Sequence, residues 1–270
     1  MIIRNYKFTR ADLPGFESRL FFEGNRTRPY LVRFSVLMLL SAIIATQGII
    51  QDSTATVIGA MLIAPLMIPM VATTAALMMG NARRAWYSLL LILAGTLGVI
   101  IVSAVFGFLA IHIIDFHTNS QVTGRVAPRL IDLIVALAAG TAGAFAVSRE
   151  DIADSIPGVA RSIALVPPLC VVGLMLSGGH WQDAWGALLL FLTNFLSILL
   201  AGGAVFALLG LGAAVTEGMS HLSKRMAYTI IALGVILIAI PLAVTTTRIA
   251  RDSIAQVKIT RITNQWVRQY

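Results

Sequence analysis

The chain has 270 residues, of which 58% are hydrophobic and 12% charged, and its mean hydropathy is +0.87. Soluble domains usually carry about 25% charged residues, so this composition excludes a soluble globular fold and indicates a membrane protein. The formal net charge of +8 does not indicate nucleic-acid binding, because the basic residues flank apolar runs and form no long tract. The single cysteine, Cys170, lies within an apolar run, which excludes a disulfide framework.

Residues 1–29 form a polar and basic stretch before the first apolar run. The stretch is too long and has the wrong pattern for a cleavable signal peptide. Its aromatic segment 16–22 can either lie on the membrane surface or pack against the helices that follow. We therefore expect the first membrane helix to be retained, behind a short cytoplasmic segment.

Seven apolar runs follow, and a helix needs roughly 20 such residues to cross about 30 Å of hydrocarbon. The third run would form a helix of about 43 Å at 1.5 Å per residue, so it must tilt or protrude. The pattern predicts an all-α fold, a polytopic membrane helix bundle with seven transmembrane helices. The runs cover residues 30–50, 54–79, 85–114, 129–147, 156–177, 184–211 and 228–247.

The distribution of lysine and arginine favours a cytoplasmic N-terminus and an external C-terminus. In that orientation twelve basic residues lie on the inner side and two in the outer loops, as the positive-inside rule requires. The five basic residues of the tail 248–270 count against this orientation. We predict a multi-pass protein of the bacterial cell inner membrane.

The sequence also contains a weak internal repeat. The segment 85–93 matches 184–192, 99 residues later, and 62–66 matches 165–169 after a shift of 103 residues. Each copy contains three spans, so the second copy enters from the opposite face and forms an inverted-topology repeat. We divide the chain into a segment 1–29, a membrane core 30–212 with copies at 30–112 and 129–211, a loop and seventh helix 213–247, and a tail 248–270.

Four prolines predict breaks in the second and fifth spans: Pro65 and Pro69 in one, Pro167 and Pro168 in the other. Proline has no N–H to donate and clashes with the carbonyl of residue i−4, and backbone groups freed in this way must be buried in protein or face water. Pro65 and Pro167 each lie about 18 Å from opposite faces. Two breaks at mid-depth are the geometry from which secondary transporters build a central site, and two ordinary proline kinks also fit the pattern.

Polar residues near the breaks extend this candidate pathway. Asn194 and Thr193, near mid-depth in the sixth run, can bond freed carbonyl groups or simply link helices. Arg161 can attract an anion at the second break or extend to the cytoplasmic face, and Ser162 is a weaker candidate. Asp132 can relay protons or bind a cation, or it can stabilise the first turn of its helix.

The remaining sequence patterns predict helix packing or give no sign of a metal site or an active site. Gly140, Gly143, Gly202 and Gly203 would allow close contact between helices. The residues 112–117 contain two histidines and an aspartate, but their spacing does not share one helix face, so we expect no metal site. The sequence contains no nucleophile elbow, phosphate loop or paired carboxylates at useful spacing. We therefore expect neither an enzyme nor a cofactor.

Several spaced motifs resemble a family of bacterial and archaeal membrane proteins. Residues 53–67, 132–140, 158–172 and 190–194 are together similar to the uncharacterised hydrophobic-domain family, domain of unknown function three-eight-nine. The resemblance covers about residues 30–212 and implies a shared membrane core with variable extramembrane parts, without a substrate. Arg161 departs from the family pattern, in which this position is small or aliphatic, so the resemblance does not make it a site residue.

These features favour the passage of a small solute or ion through the centre of the bundle. The alternative is a membrane scaffold or sensor component without a pathway, whose basic N-terminal segment binds a partner or anionic lipid. A water-accessible cavity between the breaks favours transport, and a dry centre favours a scaffold. The expected partners are the lipid bilayer and a small solute or ion, and a homo-oligomer is compatible with the sequence.

Overall fold

The computed structural model describes residues 7–110, 118–128, 130–148, 165–215 and 229, and all regular structure within these ranges is helical. The seventh predicted span, 228–247, falls outside these ranges apart from residue 229. A 3-10 turn, Gly24–Arg26, separates α1 from α2. The helices are α1 (Leu13–Leu20), α2 (Thr27–Ile50), α3 (Thr54–Ile63), α4 (Met67–Met78), α5 (Ala82–Ala110), α6 (Ser120–Val126), α7 (Leu130–Ser148), α8 (Val166–Ser177), α9 (Trp181–Leu208) and α10 (Leu211–Val215).

Four helical stretches of the described chain are long and apolar enough to cross a membrane: Leu13–Ile50, Ala82–Ala110, Ile131–Ser148 and Trp181–Leu208. The pair α3 and α4 passes the same test together and is bent by 47° at its break. α8 is apolar but has only 12 residues. The prediction of an all-α membrane helix bundle is therefore confirmed for the residues that the structure describes.

The outward face of α5 is a continuous stripe of exposed apolar side chains. Such a stripe is unfavourable in water, whereas hydrocarbon solvates it. This face of α5 therefore lies against lipid. The stripe consists of Trp86, Tyr87, Leu90, Leu93, Leu97, Ile101, Val105, Phe108 and Leu109.

The bundle has two ends, which we name the α1 end and the α6 end after the short helices that cover them. At the α1 end, Phe16 of α1 packs edge-on against Phe206 in the last turns of α9, with ring centroids 5.5 Å apart. At the α6 end, Val126 lies directly against Gly186 in the second turn of α9. Since Gly186 and Phe206 belong to one helix, the two ends are about 30 Å apart, close to the thickness of bilayer hydrocarbon.

The aromatic segment 16–22 packs against the bundle, which decides between the two placements that the sequence leaves open. Phe16 and Phe21 are buried. The Phe22 ring stacks on Tyr30 of α2, with centroids 3.9 Å apart. The Phe8 N–H donates a hydrogen bond to the Leu209 carbonyl at 2.9 Å. The segment that contains α1 is thus fixed to the first and last of the long helices described.

Glycines bring two helix pairs into backbone contact. A Cβ atom at Gly173 of α8 would lie 2.7 Å from the Ser103 Cβ and 2.8 Å from the Ala104 nitrogen in α5. A Cβ atom at Gly140 of α7 would lie 2.8 Å from the Ile198 Cα in α9. The close packing expected at Gly140 is confirmed, and Gly143 lies directly against Met67.

The two remaining predicted glycines are less crowded. A Cβ atom at Gly202 would lie 3.4 Å from the Thr74 Cγ2, and one at Gly203 would lie 3.7 Å from the same atom. These are ordinary or slightly tight van der Waals distances. Both glycines therefore face α4 without the backbone contact that α5 makes with α8.

Candidate functional site

The second predicted span is not helical at residues 64–66. α3 ends at Ile63, and Ala64 takes up extended backbone with φ −63° and ψ 123°, the conformation that a following proline favours. Pro65 therefore lies between the two helices. The Ala60 carbonyl, in the last turn of α3, accepts the Ala64 N–H at 3.3 Å and the Ser41 hydroxyl of α2 at 2.8 Å. A neighbouring helix thus supplies a polar partner at this interruption.

The other three predicted prolines lie in first turns. Pro69 is the third residue of α4, and Pro167 and Pro168 are the second and third residues of α8. The N–H groups of a first turn have no partner within the helix, so proline is tolerated there. Pro69 therefore does not itself interrupt a helix, and Pro167 and Pro168 mark where α8 begins. Arg161 and Ser162 lie outside the described residues.

α4 and α8 are both half-length helices of 12 residues, about 18 Å each. Both begin among buried residues, and within the described chain neither has a side-chain cap at its N-terminal end. α4 runs towards the α1 end and α8 towards the α6 end, and each packs against both α5 and α9. A helix N-terminus carries partial positive charge, so two positive helix ends lie inside the bundle.

The structure describes three of the polar residues that the sequence singled out: Thr193, Asn194 and Asp132. The Thr193 hydroxyl donates to the Leu189 carbonyl of its own helix at 2.8 Å, because a helical threonine reaches the i−4 carbonyl without any neighbour. The Thr193 hydroxyl proton is therefore used within α9. Asn194 is buried in α9, and Asp132 is partly buried in the first turn of α7.

A buried polar cluster that the sequence analysis missed joins α2, α5 and α8. The hydroxyl oxygens of Thr46 and Ser103 lie 2.8 Å apart, and both residues are fully buried. Thr46 donates to the Ala42 carbonyl at 2.7 Å, so Ser103 is the donor to Thr46. The Cys170 Sγ lies 3.8 Å from the same carbonyl. With the backbone contact at Gly173, this cluster holds the three helices together.

Two further hydroxyl groups are buried without any hydrogen-bond partner in the part of the chain that the structure describes. They belong to Thr96, near the middle of α5, and Ser197, near the middle of α9. Leaving such a group unbonded costs about 1–3 kcal/mol. The sequence gives no signal for them, because most helical hydroxyl groups bond to their own backbone.

A cavity of about 770 Å³ opens at the α1 end between α2, α4 and α5. Its mouth carries Glu23, Arg83 and Arg84. Its wall includes Asn81, just beyond the last turn of α4, and Pro69, in the first turn of that helix. Because α4 is about 18 Å long, the cavity extends from the end of the bundle to the level of the interruption.

The charges at the cavity mouth are partly neutralised. Arg84 pairs with Glu17 at 2.9 Å and with Glu23 at 2.7 Å, and its guanidinium lies 4.7 Å from the centroid of the Phe21 ring. The hydrogen bond from Arg84 holds the pKa of Glu23 below its ordinary value, although partial burial acts in the opposite direction. Arg83 lies over the Tyr87 ring at 5.7 Å, and its charge also helps to lower the pKa of Glu23.

Hydrogen bonds attach α6 to the other end of the bundle, the α6 end. The Asn119 side-chain amide donates to the Ile49 carbonyl at 2.7 Å. The Asp52 carboxylate accepts the Ser120 hydroxyl at 2.6 Å and the Gln121 N–H at 3.1 Å. These hydrogen bonds, that of Ser120 first, lower the pKa of Asp52. α6 is therefore fixed across the ends of α2 and α3.

Arg125, on α6, is a cation that the sequence marked only as an outer-loop charge. Its Nη1 donates to the Gln121 carbonyl at 2.5 Å and to the Gln121 side-chain oxygen at 3.1 Å. No ion pair joins it to a carboxylate of the described residues. Burial lowers the pKa of Arg125, and the nearby Cys170 acts in the opposite direction. The Arg125 side chain is partly buried.

These features define the class of the protein: an α-helical membrane protein with several apolar helices, in which residues 64–66 separate α3 from α4. The chain belongs to the family described as domain of unknown function (DUF389), which matches residues 61–200. The resemblance seen in the sequence motifs is thereby confirmed.

One curated relative shows how far the similarity extends. The chain is similar to an uncharacterised protein of Methanocaldococcus jannaschii, with 33% identity over 176 residues. The match covers 65% of this chain and 54% of the relative, so the chain spans about half the length of the protein that it matches. No solved structure matches this chain.

Proposed function

We propose that the bundle carries a small solute or ion across the membrane, along a path that begins in the cavity at the α1 end. One observation carries this proposal: the cavity of about 770 Å³ reaches Pro69, in the first turn after the interruption. Sites for small molecules usually have volumes of about 300–1,000 Å³. Irregular backbone at membrane depth is tolerated where it lines such a cavity or is buried in protein.

Four features support an inverted three-plus-three repeat within a seven-span protein. α4 and α8 have equal length, run towards opposite ends and pack against the same two long helices. Trp86 is exposed near the α1 end, and Trp185, its counterpart in the second copy, is exposed near the α6 end. In transporters with such repeats, one half moves against the other around a central site.

In the proposed orientation, the α1 end faces the cytoplasm. Arg83 and Arg84 lie there, and short cytoplasmic loops are enriched in such residues. A seventh span would then place the C-terminus outside. The α1-end cavity would accordingly be open to the cytoplasm.

One labelling experiment tests both the cavity and its orientation. Ser88 lines the cavity, whereas the native Cys170 is fully buried. A membrane-impermeant maleimide should label Ser88→Cys in inside-out vesicles and should not label it in right-side-out vesicles. Ser103→Cys is the matched control, because Ser103 is fully buried against Thr46, and it should stay unlabelled in both.

Flux measurements separate transport from the scaffold alternative. The purified chain in liposomes should move at least one of a panel of small anions, cations and neutral solutes. Maleimide modification of Ser88→Cys should stop this flux, because it fills the cavity, and the same treatment of the wild type should not. Labelling without flux of any tested solute would favour the scaffold, and absence of labelling from either face would remove the cavity from the proposal.

A further inference from the structure

We infer that the solute is a small anion, which binds where the first turns of α4 and α8 lie level with Thr96. This inference rests on the proposed function. It begins with the two half-length helices, whose N-terminal ends lie inside the bundle and have no side-chain cap from the described residues. Helix N-termini favour negative charge, and broken helices in transporters direct such ends at anionic groups.

The position of Thr96 follows from helix register. α4 and α5 are antiparallel neighbours joined by a short turn that ends at Asn81. Met67, the first residue of α4, lies 14 residues before Asn81, and Thr96 of α5 lies 14 residues after Ala82. Equal rise along both helices places Thr96 level with the start of α4. α5 packs directly against α4. The first half-length helix therefore begins at the height of Thr96.

The second half-length helix, α8, also begins at the height of Thr96. α8 runs parallel to α5, and Gly107 of α5 lies directly against Ser177 at the end of α8. Val166 lies 11 residues before Ser177, and Thr96 lies 11 residues before Gly107. Thr96 shares its helix face with Ser103, which touches Gly173 of α8. Both N-terminal ends therefore lie level with one threonine.

The Thr96 hydroxyl is available at this level. The residue is 8% exposed, and its hydroxyl oxygen has no hydrogen-bond partner in the part of the chain that the structure describes. A buried hydroxyl is normally bonded. A bound anion would accept its proton and remove the cost of leaving it unbonded.

The distribution of charge argues for an anion over a cation. The described helices α2, α3, α4, α5 and α8 contain no aspartate or glutamate. The acidic residues of α7 and α9 are Asp132 and Asp183, and each lies in the first turn of its helix. Cation sites in proteins usually require carboxylate or several carbonyl oxygens. Arg83 lies at the cavity mouth beside the pair formed by Glu23 and Arg84, and Arg125 lies on α6. The lack of carboxylates along these described helices therefore favours an anion over a cation at the level of Thr96.

Anion binding can be measured without transport. The purified full-length chain in detergent is titrated with sodium nitrate, chloride or phosphate against sodium gluconate, at constant sodium concentration and ionic strength. Thermal unfolding gives the midpoint and, from its dependence on concentration, the apparent affinity. We expect at least one of the three anions to raise the midpoint above that in gluconate.

Thr96→Val removes the hydroxyl and keeps the side-chain volume. It should weaken the affinity for that anion by about tenfold or more, yet it should not lower the midpoint without anion, because the hydroxyl has no protein partner to lose. Thr46→Val is the matched control: it breaks the bonds to Ser103 and Ala42, so it should lower the midpoint and leave the affinity unchanged.

The outcomes distinguish this inference from the proposed function. Binding that Thr96→Val weakens, without flux in liposomes, keeps the anion site and removes transport. Flux of a cation or neutral solute, without stabilisation by any of the three anions, keeps transport and overturns the anion site. Equal anion affinity in Thr96→Val and the wild type also overturns the site.

Discussion

The two halves of α5 pack against different half-length helices with opposite results. Towards the α1 end α5 meets α4, and a cavity lined by Ser88 and Leu91 remains between α2, α4 and α5. Towards the α6 end α5 meets α8, and the backbones touch at Gly173 and Gly107. One helix therefore borders both an open wedge and a closed interface. Small residues lie at the closed interface, whereas aromatic and basic side chains, including Tyr87, Arg83 and Arg84, line the cavity.

The largest expected effect comes from opening the closed interface. Gly173→Val would force a Cβ atom to within 2.7 Å of the Ser103 Cβ and against backbone atoms of α5, which cannot move without shifting the helix. Overpacking of this kind costs about 1–3 kcal/mol or more. We expect a much lower thermal midpoint, measured on the purified protein, or no folded protein at all.

Gly98→Val is the matched control for that substitution. Gly98 lies on the same helix as Ser103, but a Cβ atom there would meet nothing within 4 Å. The midpoint should therefore stay close to that of the wild type. If both variants lose the same stability, the closed interface is not what distinguishes the two halves.

The next largest effect is expected at the mid-depth of the bundle, where the two half-length helices α4 and α8 begin. Asn194 is buried in α9, which packs against both half-length helices. Asn194→Leu removes a polar group with little change in volume, so we expect lower flux in liposomes and a stability change below about 2 kcal/mol, the upper range for such bonds in membranes. Unchanged flux with a lower thermal midpoint would make Asn194 structural.

The smallest effect should come from the cavity mouth. Glu23 has a folded-state pKa below its ordinary value because Arg84 bonds to its carboxylate. Its contribution to stability is therefore present above the unfolded pKa, near 4.5, and is lost as the pH falls through the lower folded pKa. Since the Glu23 side chain is 62% exposed, we expect less than about 1 kcal/mol.

The pH dependence can be checked on the thermal midpoint between pH 7 and pH 3. Glu23→Gln should reduce the loss of stability over the acidic part of this range, because it removes the titrating group and keeps the shape. An identical pH profile in the variant and the wild type would mean that the pair with Arg84 does not help to hold the mouth.

The sequence predicted the positions of helices better than the partners of polar groups. Pro65 marked the interruption because the effect of proline on the backbone is local. Thr193 was a candidate partner for freed carbonyl groups and bonds to its own helix, whereas Ser41 was not considered and bonds to Ala60 of α3. The choice between these bonds depends on which helix lies beside the hydroxyl, and apolar periodicity does not record that.

Arg125 shows that the partners of a charged residue are equally hard to predict from the sequence. Counting basic residues placed it in an outer loop, since the rule concerns only which side of the membrane a charge occupies. The structure adds that it folds back on Gln121, on a helix fixed to Asp52. That arrangement depends on contacts between segments about 70 residues apart, as Gln121 and Asp52 are, which a single sequence does not specify.

The apolar stripe on α5 has a consequence for the surrounding bilayer. From Trp86 to Leu109 it measures about 35 Å along the helix, whereas the hydrocarbon of an average bilayer is about 30 Å thick. α5 therefore has to lean in such a bilayer, or the lipids beside it must stretch. The tilt of α5 therefore depends on acyl-chain length, and lipids with longer chains favour a more upright α5. Because α5 borders both the cavity and the closed interface, a change in its tilt affects both.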